Sequence, residues 1–276
     1  MLEKDFFITI ITLTKNDNLG FYRTVSSIFK QNIRKNVEWL ILDGSDKEIF
    51  KDNKNILQKF SNKNNSCKKY LFFTHIKMDT KSIQGIYPSM NYGLKISKGK
   101  SIIFLNGGDS FFDNHSLRKL DEFSNKYKRT ISFGQAKIIS KIGLSWNFPG
   151  SKIKNIHLWL KFFEPNHQTM LVSADIAKNT IFGEGSKISA DKFWKREVLS
   201  KADTLRYINT PVCNFYLNGI SSKRPNMEIL LVQIKDKNIS FLDKLINIIK
   251  FLIFPGIYKY FPYLQKLKSS IIDLIF

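Results

Sequence analysis

Short apolar runs that stop abruptly at polar clusters dominate the first 105 residues. FFITIIT at 6–12 is aromatic and β-branched and runs into Thr14-Lys15-Asn16-Asp17, the pattern of a buried strand followed by a loop. From Leu19 to Phe29, apolar positions Leu19, Tyr22, Val25, Ile28 and Phe29 recur at helical spacing. VEWLIL at 37–42 predicts a second strand, stopped by DGSD. Helix is expected over 49–60, strand over YLFFT at 70–74, and helix over 87–97 despite Pro88. SIIFL at 101–105 predicts a fourth strand, stopped by NGGD.

Short buried strands alternating with helices imply a mostly parallel, Rossmann-like α/β sheet with both faces covered. Ligands of such sheets bind beyond the carboxyl ends of the strands. Those ends carry Thr12–Asp17, Asp43–Asp46 and Asn106–Asp109, so three strand ends deliver polar or acidic residues to one edge. Beyond about residue 128 the pattern changes. ISFGQAKII, QTMLVS and TLRYIN read as strands with less regular helices between them, a mixed second half that completes the site. There are no internal repeats.

The last stretch is different again. From Ser240, residues Phe241, Leu242, Leu245, Ile246, Ile248, Ile249, Leu252 and Ile253 make a broad apolar face, and Asp243, Lys244, Asn247 and Lys250 a narrow polar one. Pro255-Gly256 interrupts it, and a second Lys-bearing apolar stretch follows. Charges within the run argue against a membrane span and for a helix lying in an interface. The division expected is 1–225 for the α/β domain and 226–276 for an amphipathic helical tail.

Charge narrows the partners. Lys and Arg number 44 against 23 Asp and Glu, a formal charge of +21, which predicts an anionic partner: nucleic acid, an anionic leaflet or a phosphorylated substrate. The excess is mostly Lys scattered among Asn and Ile, so charge by itself does not choose. Nucleic-acid binding predicts a basic stripe with aromatic or Gly-rich partners in a recognisable module, and none is present, so nucleic acid is not an expected partner. Cys67 and Cys213 lie far apart, which excludes a disulfide framework or a zinc site and points to a reducing, cytoplasmic compartment. The N-terminal apolar run is short and follows Glu3 and Asp5, unlike a signal peptide.

Six segments in order carry a family resemblance: ITIITLTKN at 8–16, SSIFKQ to VEWLILDGSD at 26–46, GIYPSMNYGLKISKGKSIIFLNGGD at 85–109, NHQTMLVS at 166–173, ISADKFWKREV at 188–198 and VCNFYLNGISS at 212–222. Over roughly residues 5–225 the chain resembles family 2 glycosyltransferases of the GT-A fold, in the subgroup of colanic-acid, capsule and O-antigen enzymes. The resemblance implies inverting transfer of a sugar from a nucleoside-diphosphate donor, most commonly a UDP-sugar, to a lipid-linked or membrane-proximal glycan. It implies that Asp109 is a Mg²⁺ or Mn²⁺ ligand and that Asp43 contacts the base or ribose of the donor. Thr12, Asn16, Asn91 and Asn106 would line the donor pocket, and His167 and Gln168 would shape the acceptor side. Asp191 would be the general base that takes the acceptor's proton. The bland reading of each acid stays open: a Gly-Gly turn with a capping Asp109, an Asx-turn at Asp43, a helix N-cap at Asp191. The chain departs from the subgroup at Pro88, where an Asp is frequent, and at Asn106, where an acid commonly sits. Trp146, His157 and Trp159 are read as core, and no His follows His167 to serve as a late metal ligand. With the basic tail, the resemblance places the chain on the inner face of the plasma membrane. The alternative is a non-catalytic basic protein, membrane-peripheral or nucleic-acid-binding, on a GT-A-like scaffold.

Overall fold

A computed structural model describes residues 5–62, 69–79, 81–83, 85–122, 128–183, 190–217 and 261–276, with single helical residues at 234, 235, 241, 244, 245, 248 and 249. Strands β1 (Ile8–Thr14), β2 (Val37–Asp43), β3 (Leu71–Lys77) and β4 (Ser101–Phe104) are parallel, and α1 (Asn18–Phe29), α2 (Lys47–Asn62) and α3 (Ile86–Ile96) connect them. The second half adds β5 (Ser110–Phe111), α4 (Ser116–Asp121), β6 (Thr130–Ile139), β7 (Ser145–Phe148) and α5 (Ile156–Leu160). A 3-10 turn at His167–Thr169 then leads into β8 (Met170–Ser173), α6 (Ala174–Lys178), α7 (Ala190–Ser200) and β9 (Thr204–Tyr216). One mixed sheet results, in the order β3-β2-β1-β4-β8-β6-β9-β5, with β7 paired to β6.

Strand alternation explains the two cores. On one face Ile8 and Ile10 of β1 and Val37, Trp39 and Ile41 of β2 meet Phe21, Val25 and Ile28 of α1 and Leu57 and Phe60 of α2. On the other, Ile11, Leu40 and Leu42 meet Met90 and Leu94 of α3 and Trp194 and Val198 of α7. Successive side chains of a strand point to opposite faces, so runs that read as continuously apolar are those covered on both sides. In β1 the run ends two residues later than the apolar pattern suggested, because Thr12 and Thr14 are enclosed as well. Register brings Thr14 level with Asp43 and Asp43 level with Lys77, so the strands finish along one edge.

The helix α8 (Phe261–Ile275) packs beside β7. Ile272 sits in a small cluster with Ile153 and Trp159, and Ser269 Oγ donates to the Asn147 carbonyl at 3.1 Å. The Phe276 carbonyl accepts from Lys154 N at 3.0 Å and Asn155 N at 2.9 Å. The opposite face of α8 is bare: Tyr263, Leu264, Leu267, Ile271, Leu274 and Ile275 are exposed. In the earlier apolar stretch Phe241, Leu245 and Ile249 are exposed, and most of its other residues lie outside the described residues. Cys67 and residues 218–222 of the segment quoted at 212–222 also lie outside them.

Candidate functional site

The loop after β4 is built onto α1. Asp17 caps that helix, its Oδ1 accepting from Gly20 N at 2.8 Å. Along the helix a polar stripe then faces residues 106–117. The Arg23 Nη1 donates to the Gly108 carbonyl at 2.7 Å. The Thr24 hydroxyl donates to the Asp109 carbonyl at 2.6 Å and accepts from Gly108 N at 3.1 Å. Ser27 accepts from Phe111 N, and Gln31 bridges Asp113 and Leu117. Positions 23, 24, 27 and 31 recur at helical spacing, and that polar stripe was a signal in the sequence that apolar periodicity passes over. Gly107 is required by closeness: a Cβ there would lie 2.8 Å from Thr14 Oγ1. Gly108 has φ of 103°, the left-handed region that favours glycine.

Asp109 turns inward from this loop. It is 7% exposed, and both carboxylate oxygens are engaged: Oδ1 accepts from Tyr216 N at 2.8 Å and Oδ2 from Gln168 Nε2 at 2.5 Å. Burial pushes its carboxyl up to about 7, against those two hydrogen bonds and the nearby Arg23 charge. Gln168 also accepts Asn106 N through Oε1 at 2.7 Å, so one buried amide locks the loop to the turn before β8. The Arg23 guanidinium lies over the Tyr216 ring, 4.0 Å from its centroid.

This arrangement does not suit a metal ion at Asp109. Asn106 and Gly108 bring no acid, the one carboxylate of the loop is enclosed and hydrogen-bonded to neutral donors, and a guanidinium stands beside it. Among the described residues no group of three His, Cys, Asp or Glu side chains is placed to hold a metal. In this structure Asp109 is a buried anchor that joins the loop after β4 to the 3-10 turn and β9.

A second constellation surrounds Asp191, in the first turn of α7. Its carboxylate is 29% exposed, with Lys195 Nζ at 3.4 Å, His167 Nδ1 at 3.9 Å and the Tyr87 hydroxyl donating to Oδ1 at 3.3 Å. Burial pushes His167 down to about 4, the Asp191 charge opposing and Lys195 adding to the shift, so the imidazole is neutral at pH 7. Its Nε2 lies 3.4 Å from Asn106 Nδ2, which links the Asp191 group to the loop after β4. Asn106 Oδ1 is buried with no partner. Burial and the Asp191 charge raise the Tyr87 hydroxyl.

The remaining expected residues separate. Thr12 is fully buried, accepts from Trp39 Nε1 at 2.9 Å and donates to the Leu105 carbonyl at 2.8 Å, so it fastens β1 to its neighbours and does not reach a pocket. Asn91 grips the Phe182 backbone in both directions, donating to O at 2.9 Å and accepting from N at 2.8 Å. Phe182 in turn stacks on Trp194 and Tyr87, so Asn91 supports the Asp191 group from behind. Asp43 is fully enclosed: Oδ1 accepts from Ser45 N at 2.8 Å, and Oδ2 lies 2.9 Å from both Asn53 Nδ2 and His75 Nε2. Burial works to raise it, and the bonds from His75, Ser45 and Asn53 outweigh burial and hold it below the usual carboxylate range. Asn16 is at the surface, with its N–H on Ser45 Oγ and its side chain on Asp46. It stands at the rim of a cavity of about 470 Å³ lined by Gly44–Lys47, Lys77, Met78, Asp79 and Lys81, at the ends of β2 and β3. Asp43 thus shapes this cavity from below through its hold on Ser45.

Comparison with known proteins places the fold. No protein-family model and no curated protein sequence matches the chain. Among solved structures, residues 1–349 of S. aureus TarS in complex with UDP-GlcNAc align over 90% of this chain and 73% of theirs, with TM-score 0.60 and 16% identity. A second structure of S. aureus TarS 1–349 aligns over 97% of this chain and 80% of its own, with TM-score 0.58 and 16% identity. The mannosyltransferase PcManGT from Pyrobaculum calidifontis, in complex with GDP-Man and Mn²⁺, aligns over 99% of this chain and 75% of its own, with TM-score 0.53 and 10% identity. The α/β architecture, its curled mixed sheet and its flanking helices are those of the GT-A glycosyltransferase fold.

Proposed function

We propose that the chain is an inverting glycosyltransferase that moves a sugar from a nucleoside-diphosphate donor, in the first instance a UDP-sugar, to a glycan acceptor. The observation that carries this reading is the half-exposed Asp191 carboxylate. It is held by Lys195, His167 and Tyr87 and wired through His167 to the loop after β4, on a sheet edge with a cavity at the β2 and β3 ends. The nucleoside occupies that cavity, with Asn16, Ser45 and Asp46 at its rim. The diphosphate lies toward Asn106–Asp109. Asp191 takes the proton of an acceptor hydroxyl as its oxygen attacks the anomeric carbon, and the bond to the diphosphate breaks with its electron pair leaving on phosphate. One in-line displacement inverts the anomeric centre. The nucleotide-sugar complexes of the two structural neighbours are in keeping with such a donor.

The bare apolar face of α8 and the exposed Phe241, Leu245 and Ile249 support an acceptor built at a membrane, in the manner of capsule or O-antigen assembly on a lipid carrier. Lys266 and Lys268 flank the α8 face, and each basic residue near an anionic leaflet contributes about 1 kcal/mol. Among the described residues no helix is long and apolar enough to cross a membrane.

The test is turnover against a panel of nucleotide sugars, read as release of nucleoside diphosphate. Asp191→Asn should bind nucleotide as the unaltered chain does and lose about 10²–10⁴-fold in turnover. Near-normal turnover removes Asp191 from the mechanism, and a product with retained anomeric configuration refutes the single displacement.

A further inference from the structure

We infer that this chain holds the donor diphosphate without a divalent ion, the Arg23 guanidinium supplying the positive charge at the loop after β4. The inference rests on the nucleotide-sugar reading above and concerns how that same site meets the charge of its ligand.

A magnesium ion needs an octahedron of oxygens and is ordinarily anchored by one or two carboxylates besides the phosphates. In the loop Asn106-Gly107-Gly108-Asp109 the single carboxylate points away from the edge, into contacts with Tyr216 N and Gln168 Nε2. Each of its oxygens already accepts a protein hydrogen bond, and the residue is only 7% exposed. Gly108 cannot be read as a position awaiting an acid, because its φ of 103° strains any residue with a side chain. What remains on the loop is the amide oxygen of Asn106, buried, neutral and unpaired. A single such oxygen does not hold a divalent cation, and it suits a ligand hydroxyl instead.

The cation that the structure does place here is Arg23. It is fixed twice, by its bond to the Gly108 carbonyl and by the Tyr216 ring beneath it. A guanidinium presents five N–H donors in a planar fork that matches phosphate oxygens, and one bond to Gly108 leaves most of that fork. Held in advance, it stabilises the negative charge that builds on the departing diphosphate at no further cost of reorganisation.

Calorimetric titration with UDP, GDP, dTDP, ADP and CDP tests the inference, each run in EDTA and again with excess Mg²⁺ or Mn²⁺. The expected result is one or more nucleotides bound in EDTA with an affinity within about threefold of that in metal. Arg23→Gln should weaken that binding by about 10- to 100-fold, as loss of a charge-assisted phosphate contact does, and metal should not restore it. Binding that appears only with metal overturns the inference and leaves the nucleotide-sugar reading standing. Binding by Arg23→Gln equal to that of the unaltered chain also overturns it. Failure of every nucleotide under both conditions refutes the nucleotide-sugar reading itself, and the inference with it. Should Arg23→Gln not fold, the comparison of EDTA with metal on the unaltered chain decides the matter.

Discussion

Replacing Asp109 by Asn keeps the size of a buried side chain and removes its charge. In the native chain both oxygens accept from fixed donors, and burial still raises the carboxyl to about 7. Unfolded, the same group titrates near 3.8. Between those values the folded state holds a proton that the unfolded state has released, so the stability this group contributes is complete below 3.8 and is lost as pH rises through about 7. The slope is about 1.4 kcal/mol per pH unit inside that window. Asn cannot ionise, so Asp109→Asn should lack this slope. Below pH 3.8 the carboxyl is protonated folded and unfolded and resembles the amide: one buried N–H, on Tyr216 or on Gln168, faces another donor, and the variant should lie within about 1 kcal/mol of the unaltered chain. From pH 5 to pH 8 the variant should gain on it by about 2–3 kcal/mol and become the more stable of the two. Urea unfolding of both chains at unit steps of pH measures this directly. Parallel stability profiles across the window would refute the reasoning, since they would mean that Asp109 titrates alike folded and unfolded. The crossing has a functional corollary: a charge retained at a cost to stability is retained for what the loop does.

Gln168→Ala removes the amide that joins Asn106 N to Asp109 and leaves a buried N–H unpaired; it should lower unfolding free energy by about 1–3 kcal/mol in urea and weaken nucleotide binding. Asn91→Ala frees both backbone groups of Phe182; it should lower turnover without changing nucleotide affinity, since it acts on the support of Asp191, and unchanged turnover would refute that support. Gly99→Ala places a Cβ 2.4 Å from Thr9 N, a backbone clash that should cost about 1–3 kcal/mol or more, read from the shift in thermal midpoint. Leu264→Asp with Leu267→Asp on the bare face of α8 should abolish sedimentation with anionic liposomes and leave turnover on a soluble acceptor intact; an unaltered chain that ignores such liposomes at low salt refutes the membrane reading.

The first half of the fold was legible because β1, β2 and β4 are covered on both faces and read as unbroken apolar runs. Its element ends were less so: β3 runs on to Lys77 with a half-exposed pattern, α2 spans Lys47–Asn62, and β1 runs on to Thr14 because Thr12 is buried through hydrogen bonds, which hydrophobicity does not register. The second half was less legible for a related reason. Strands β5 and β7 are too short to show a period, and β9 runs on past TLRYIN to Tyr216, through a shift of register opposite Gly134 to Ala136. At the site, sequence names residues on the loops but leaves the direction of their side chains open. A motif fixes that a carboxylate stands at 109; it does not fix that Gln168, sixty residues away in the chain, turns that carboxylate inward. Arg23 went unread because a reading by apolar periodicity passes over the polar stripe to which it belongs, and its partner is a backbone carbonyl.

The zipper between α1 and residues 106–117 makes those two segments one inherited part. Arg23, Thr24 and Ser27 on that face of the helix, and Gln31 just beyond its end, each answer a particular group of residues 106–117. The cavity at the ends of β2 and β3 is instead lined by surface loops tied to the β1 loop through Asn16, Ser45 and Asp46. Sequence drift around that cavity is therefore tolerable one residue at a time, whereas the loop after β4 can change only in step with the helix that grips it. A chimera that exchanges the loop after β4 between proteins of this fold must carry α1 along with it, whereas the lining of the cavity can be varied with both left untouched.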